Sequence, residues 1–385
     1  MSDVTSERKD KRLGLYLHIP FCRSRCLYCD FCTFPHPKRE ELAAYTERIR
    51  RDLSERSSAC RDYVIDSVYF GGGTPTVLCV EELASILKTV QSEYRLTEDA
   101  EITVECNPAT VDLEYLSALR RAGFNRLSLG VQSAMENELR RLGRRHRFED
   151  FCQTVADARA AGFENISADV MMGIPEQTEE SLAETLELIC GQGVEHISAY
   201  CLSVEEGTPF DRLRERGELP LPDEDEVERM YVQCSDLLLK KGYEQYEISN
   251  FARRGYSSRH NLKYWRCEEY LGFGPAAYSD FGGERFGNAR DLKGYLAGQD
   301  IEAERERPDP CERENEYVML GMRLCEGISA KEFLRRFDED LEERFGQRLR
   351  AYVKDGFVSQ TEDGYAFTPK GMCVSNAILS DVLEF

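Results

Sequence analysis

The sequence predicts an α/β protein: a partial (β/α)6 barrel followed by a smaller α+β, winged-helix-like C-terminal region. Three observations carry that prediction. Short apolar runs alternate with amphipathic stretches of helical period from residue 13 to about 205, the pattern of right-handed βαβ units in a parallel sheet. Gly123 and Gly162 follow two helical stretches as C-terminal caps, each ahead of an aromatic-led strand (Phe124, Phe163). Near the C-terminus, helical patterns give way to a stretch that turns at Glu362-Asp363-Gly364, the mark of a hairpin.

In order along the chain, strands are expected at Leu13–Ile19, Ile65–Phe70, Glu101–Glu105, Arg126–Val131, Ile166–Met171 and His196–Leu202. Helices are expected at Arg39–Leu53, Val80–Tyr94, Asp112–Ala122, Phe148–Ala161 and Glu179–Cys190. Six such units close only part of a barrel, and its working end is the C-terminal edge of the strands. An acidic, Pro-containing segment, Leu219–Glu228, begins a helix that runs to about Lys241. Residues 242–290, rich in Gly, Tyr and Phe, read as loops and short strands, and Ala303–Glu314, with Pro308 and Pro310, reads as a linker. Helices near Tyr317–Leu324, Ala330–Phe337 and Leu341–Asp355 then precede the hairpin Phe357–Phe367. The implied division is a polar tail (1–12), the barrel (13–218), a barrel extension (219–302) and a C-terminal module (303–385).

A net charge of −21 over 385 residues argues against nucleic-acid binding, which needs a basic face. One dense basic run, Arg140 to Arg147, stands against that background and reads mainly as a solvated helix face with room for a local anion site. The polar N-terminus lacks the apolar core of a signal peptide, and no stretch approaches the roughly 20 apolar residues of a membrane span. A cytoplasmic protein is expected, with at most peripheral membrane contact. Its 15 cysteines, an odd number, then read as reduced thiols, most of them small core residues.

Four cysteines differ because they crowd together from Cys22 to Cys32. Cys22, Cys26 and Cys29 are spaced CxxxCxxC on the loop after the first strand. Three thiolates so placed converge on one 4Fe–4S cubane and leave its fourth iron open. S-adenosylmethionine (SAM) chelates such an iron, and reductive cleavage of its sulfonium yields a 5′-deoxyadenosyl radical. A tetrahedral zinc site that recruits Cys32 is the lesser alternative. The second strand ends in Gly71-Gly72-Gly73-Thr74, whose glycines let backbone amides approach a ligand closely.

These motifs resemble the coproporphyrinogen-dehydrogenase-like branch of the radical SAM superfamily across nearly the whole chain. The resemblance implies SAM contacts at Tyr16, Tyr28, Gly72, Gly73, Thr74, Glu105, Gln132, Arg144 and Asp169. Within that branch, Cys29 is followed by Asp30-Phe31, whereas the dehydrogenases carry a cysteine two residues after the third ligand; here the extra cysteine is one place further on, at Cys32. The dehydrogenases also have a longer N-terminal extension. His260-Asn261-Leu262-Lys263-Tyr264-Trp265 matches the HNxxYW signature of the HemW-type heme chaperones.

That resemblance implies a radical SAM heme chaperone with His260 as a heme ligand, Tyr264 and Trp265 as flat faces for the porphyrin, and hemoproteins such as respiratory enzymes as recipients. It also implies an electron donor for the cluster. The alternative is an oxygen-independent coproporphyrinogen III dehydrogenase, so whether the chain is an enzyme stays open at this stage.

Overall fold

The computed structural model describes residues 11–383. The tail expected over 1–12 lies outside them except for Lys11 and Arg12, which instead open the first strand. Six parallel strands form the barrel: β1 (Lys11–Ile19), β2 (Tyr63–Gly72), β3 (Leu96–Cys106), β4 (Arg126–Gln132), β5 (Asn165–Met172) and β6 (His196–Cys201). Neighbours in sequence are neighbours in the sheet.

The connecting helices are α1 (Arg39–Arg56), α2 (Val80–Glu93), α3 (Leu113–Ala122), the short α4 (Glu136–Arg141), α5 (Phe148–Ala160) and α6 (Glu179–Cys190). Gly123 ends α3 at φ 116 and Gly162 lies just past α5 at φ 93, the left-handed geometry that both were expected to supply.

The barrel strands alternate sharply between two kinds of side chain. Val68, Phe70, Val104, Leu127, Leu129, Val131, Val170 and Ile197 are fully buried in the main hydrophobic core. The residues between them, which by the period of two face the other way, are Ser67, Tyr69, Thr103, Glu105, Arg126, Ser128, Ser167, Asp169, His196 and Ser198. The barrel interior is therefore polar. That arrangement builds a ligand site rather than a packed apolar centre.

After α7 (Pro209–Glu215) and α8 (Glu224–Lys240), the chain extends this sheet at both edges. Strands β7 (Glu244–Gln245) and β8 (Asn250–Ala252) join antiparallel beside β6. Strand β9 (Tyr270–Phe273) pairs parallel with β1, and β10 (Tyr278–Phe281), β11 (Glu284–Asn288) and β12 (Glu302–Glu306) follow antiparallel. The segment expected to be a linker at 303–314 instead holds the sheet's edge strand and the start of a helix. Its charged residues suit an edge facing water, and Pro310 opens the helix.

Between β8 and β9 lies the seven-residue helix α9 (Arg259–Trp265), where loops were expected. Its capping Ser258 hydroxyl and the backbone N–H groups of Arg259 and His260 donate to the buried Glu101 carboxylate of β3, at 3.2–3.4 Å. A buried ion pair, Lys263 to Asp66 of β2 at 2.8 Å, fixes its other side. The helix thus seals the barrel interior at mid-strand. Past α10 (Leu292–Leu296) come α11 (Pro310–Gly321), α12 (Ala330–Phe337) and α13 (Gln347–Lys354). A three-stranded sheet of Ile328–Ser329, Val358–Thr361 and Gly364–Phe367 completes the winged-helix-like module, its hairpin turning where the sequence placed it. Among the described residues no helix is long and apolar enough to cross a membrane.

Candidate functional site

A cavity of about 460 Å³ opens at the C-terminal ends of the strands. Its lining includes Cys22, Cys26, Tyr28 and Cys29 from the loop after β1, Gly72, Gly73 and Thr74 after β2, and Glu105, Gln132, Arg144 and Asp169. Eleven of the thirteen residues singled out from the sequence thus meet around one space.

The glycine turn is bound to the cluster loop by backbone. Gly73 N–H donates to Ile19 O at 2.9 Å and Thr74 N–H to Phe21 O at 2.7 Å. A Cβ on Gly73 would lie 2.6 Å from Phe21 O, so only glycine permits this approach. The Thr74 hydroxyl accepts from Asn107 Nδ2 at 2.8 Å and lies 3.5 Å from Cys22 Sγ. Burial pushes the Cys22 thiol up to about 11 and raises Cys29 as well, so iron must displace their protons on binding.

Arg144 donates from Nη1 to Asn107 Oδ1 at 2.6 Å and from Nη2 to the Tyr28 hydroxyl at 2.8 Å. Among the described residues its buried Nε has no hydrogen-bond partner, which leaves it available to an anionic group. Gln132 holds φ at 65, a costly value for a residue with a side chain, and accepts from the Tyr200 hydroxyl at 2.9 Å. Ser128 Oγ donates to Asp169 at 3.1 Å. Glu105 accepts from the Tyr69 hydroxyl at 2.9 Å and from Gly72 N–H at 3.1 Å.

Burial and then the neighbouring Asp169 push Glu105 up to about 7, against the opposing pull of Tyr69, Gly72 and Arg126. Burial also raises Asp169. Because the unfolded chain releases the Glu105 proton near the ordinary carboxylate value, folding favours the protonated form. The stability this contributes is present at low pH and lost as pH rises through about 7. Melting of the cluster-free protein is expected to fall between pH 5 and pH 8, in part through Glu105. Glu105→Gln should flatten that profile by about 3 kcal/mol at most. An unchanged slope in the variant would show that Glu105 does not titrate there.

Two expected residues lie off this cavity wall. Tyr16 points between Tyr69 and His260, ring centroids 6.2 and 6.3 Å away, with its hydroxyl 3.0 Å from His18 Nδ1. His18 Nε2 donates to Cys32 O, so Nδ1 accepts from Tyr16. His260 is 1% exposed, and both ring nitrogens are engaged at 2.9 Å, Nδ1 with Ser67 Oγ and Nε2 with the Tyr264 hydroxyl. Burial, then Lys263 and Arg126, lowers it to about 3. In this structure neither ring nitrogen is free for a metal, so the heme-ligand role expected of His260 would require its ring to leave Ser67 and Tyr264. Trp265 does not share a face with it either; it lines a separate groove toward the C-terminal module, with Arg323 over its ring at 5.9 Å.

Several residues of the barrel interior escaped the sequence reading. His196 repeats the His260 arrangement, with Ser167 Oγ on Nδ1 and the Tyr246 hydroxyl on Nε2, both at 2.8 Å. Arg126, 1% exposed, disfavours a proton on both histidines, and among the described residues its Nε and Nη1 have no hydrogen-bond partner. It is a fixed positive charge that favours ionised Glu105 and Asp169. Period-two alternation was the signal that could have found Arg126, since it shares a face with Ser128.

The donor set fits a cubane better than a single ion. Three cysteines of one loop border the same cavity, the number of protein ligands that a cubane with an open iron takes. Cys32, the fourth thiol that zinc would need, is absent from the cavity lining.

A curved βα sheet carrying three cysteines after its first strand is the architecture of the radical SAM proteins, which hold a 4Fe–4S cluster and SAM. Residues 16–189 match the Radical SAM superfamily and residues 309–374 the HemN C-terminal domain. The fold is similar to that of the Escherichia coli coproporphyrinogen III oxidase (HemN), with a TM-score of 0.83, 23% identity, and coverage of 98% of this chain and 91% of that one. Sequence similarity is closer to proteins named heme chaperone HemW. The Bacillus subtilis protein is 33% identical over 96% of this chain and 98% of its own length. The Escherichia coli protein is 32% identical over 95% and 97%. The chain belongs to the HemW family.

Proposed function

We propose that this protein binds heme and passes it to hemoproteins, with a 4Fe–4S cluster on Cys22, Cys26 and Cys29 and SAM in the adjoining cavity. Near full-length similarity to HemW heme chaperones carries the reading. Within the site, Asp30-Phe31 after Cys29 supports it. Phe31 is 67% exposed at the cavity lip, an apolar surface suited to a porphyrin face. SAM would present its carboxylate to Arg144 and its ribose hydroxyls to Glu105 and Asp169, while Gly72, Gly73 and Thr74 line the amino-acid end. None of the fifteen cysteines is in a disulfide, which suits a reducing, cytoplasmic setting.

The test is an anaerobic heme titration of cluster-loaded protein, followed by a coproporphyrinogen III assay and transfer to an apo-hemoprotein on the same sample. Stable heme binding, transfer and no loss of coproporphyrinogen are expected. Conversion to protoporphyrinogen IX would replace the chaperone reading with the dehydrogenase one.

A further inference from the structure

We propose that the arginines around the cluster loop, Arg23 and Arg145 above all, form the docking surface for an acidic one-electron donor protein. The inference rests on the cluster assignment and not on the heme reading. Of the basic run Arg140–Arg147, only Arg144 is spent on the main cavity. The run is nevertheless held against the cluster loop, because Leu27 N–H donates to Leu142 O at 3.1 Å and a Cβ on Gly143 would touch Leu27.

Cys26 consequently borders two spaces. One is the cavity already described. The other is a smaller one of about 210 Å³, lined by Arg23, Cys26, Arg144, Arg145 and His146 with residues 107–110. It contains no carboxylate, although the chain carries 71 acidic residues and a net charge of −21. The contrast with the groove between α6 and α8 is sharp, since that groove carries five carboxylates.

The charges at this second opening are also unspent. Arg141 is paired with Glu176, but among the described residues Arg23 and Arg145 make no ion pair, and both are exposed. Neighbouring Arg25, also exposed, donates only to Cys29 O, at 3.1 Å. A positive collar on a negative protein focuses an attractive field at one place and repels acidic partners elsewhere. That place is the outer side of a cluster ligand, reached without passing through the SAM space.

The complementary partner is a small redox protein with an acidic face, such as a flavin-carrying one. One electron leaves its flavin hydroquinone anion, which becomes the neutral semiquinone, and reduces the cluster from its 2+ to its 1+ state. No proton or bond needs to move.

The experiment uses full-length, cluster-loaded R23E/R145E and the milder R23Q/R145Q, with an acidic flavodoxin as probe. Its affinity is read by calorimetry on the oxidised proteins, and the reduction rate is read by stopped-flow bleaching of the cluster. Both variants are expected to lose affinity. The reduction rate of the reversal variant should fall by about tenfold or more at low ionic strength and converge with the parent at high salt. Reduction by photoreduced 5-deazariboflavin, a neutral small molecule, should not change.

A fall with both reductants would indicate a damaged cluster site and overturn the proposal. So would unchanged flavodoxin kinetics. If the variants instead lose only binding to phosphatidylserine vesicles, the collar is a membrane surface, and if only to inorganic phosphate, an anion site; either result overturns it. R335E, remote on α12, is the control expected to leave every readout unchanged. If no cluster loads in the parent protein, the cluster assignment fails and takes this proposal with it, an outcome distinct from every one above.

Discussion

Serine in place of Cys22, Cys26 or Cys29 is expected to abolish cluster loading outright while leaving the fold intact. The three thiols lie on one short loop, and their sulfurs do little to hold the protein together: Cys22 Sγ lies 3.5 Å from Thr74 Oγ1, and Cys29 meets the neighbouring Phe31 backbone. The loop itself is held by backbone hydrogen bonds and by Leu27 against Leu142. Exchanging sulfur for oxygen should therefore move stability by less than about 1 kcal/mol. Iron affinity collapses because an alkoxide ligand is far harder to form than a thiolate, and two thiolates cannot hold a cubane that three would hold.

Cys32→Ser is the matched control. Cys32 is buried and absent from the cavity lining, so this variant should load the same iron and sulfide per chain as the parent. Iron and acid-labile sulfide analysis after anaerobic reconstitution decides the matter. Loss of metal from the Cys32 variant, or zinc in the parent in place of iron, would return a four-cysteine tetrahedral site to consideration.

How far the sequence reaches here depends on whether its signals are local. The six barrel strands and five of their helices were legible because periodicity and capping glycines act within a few residues, and Gly123 and Gly162 adopt the backbone their positions implied. The cluster loop and glycine turn were legible for the same reason. What was lost is non-local. The charged stretch at 302–306 pairs with β11, a partner that no composition rule names. The site carboxylates and Arg144 were found, but Tyr69, Ser128 and Arg126, which hold or bias the carboxylates, and Asn107, which holds Arg144, are ordinary residues until the strands are in register. The HNxxYW motif pointed to the right family, but its three-dimensional arrangement was not legible. Its residues suit heme chemistry, yet a helix turn sends His260 and Tyr264 into the barrel and Trp265 out of it.

That geometry gives the second large effect. His260→Ala is expected to weaken SAM binding by about tenfold and leave heme affinity unchanged. The His260 ring stacks on Tyr69 with centroids 5.2 Å apart, and the Tyr69 hydroxyl orients Glu105. Removing the imidazole leaves the Ser67 and Tyr264 hydroxyls without their partner and opens space beside Tyr69, at a stability cost of about 3 kcal/mol. Tyr69 then no longer fixes Glu105, and about 1.4 kcal/mol of SAM affinity goes with it.

A purely structural role would lower Tm alone, so Tyr69→Phe separates the two. That variant keeps the stack but loses the donor, and should reproduce the SAM defect at nearly parental Tm. Its pH dependence should also move. Without the Tyr69 donor the ionised form of Glu105 is less favoured, so the pH below which SAM affinity declines should shift upward from about 7. Loss of heme binding in His260→Ala with SAM affinity intact would instead make the imidazole a heme ligand, reached only after α9 moves out of the barrel.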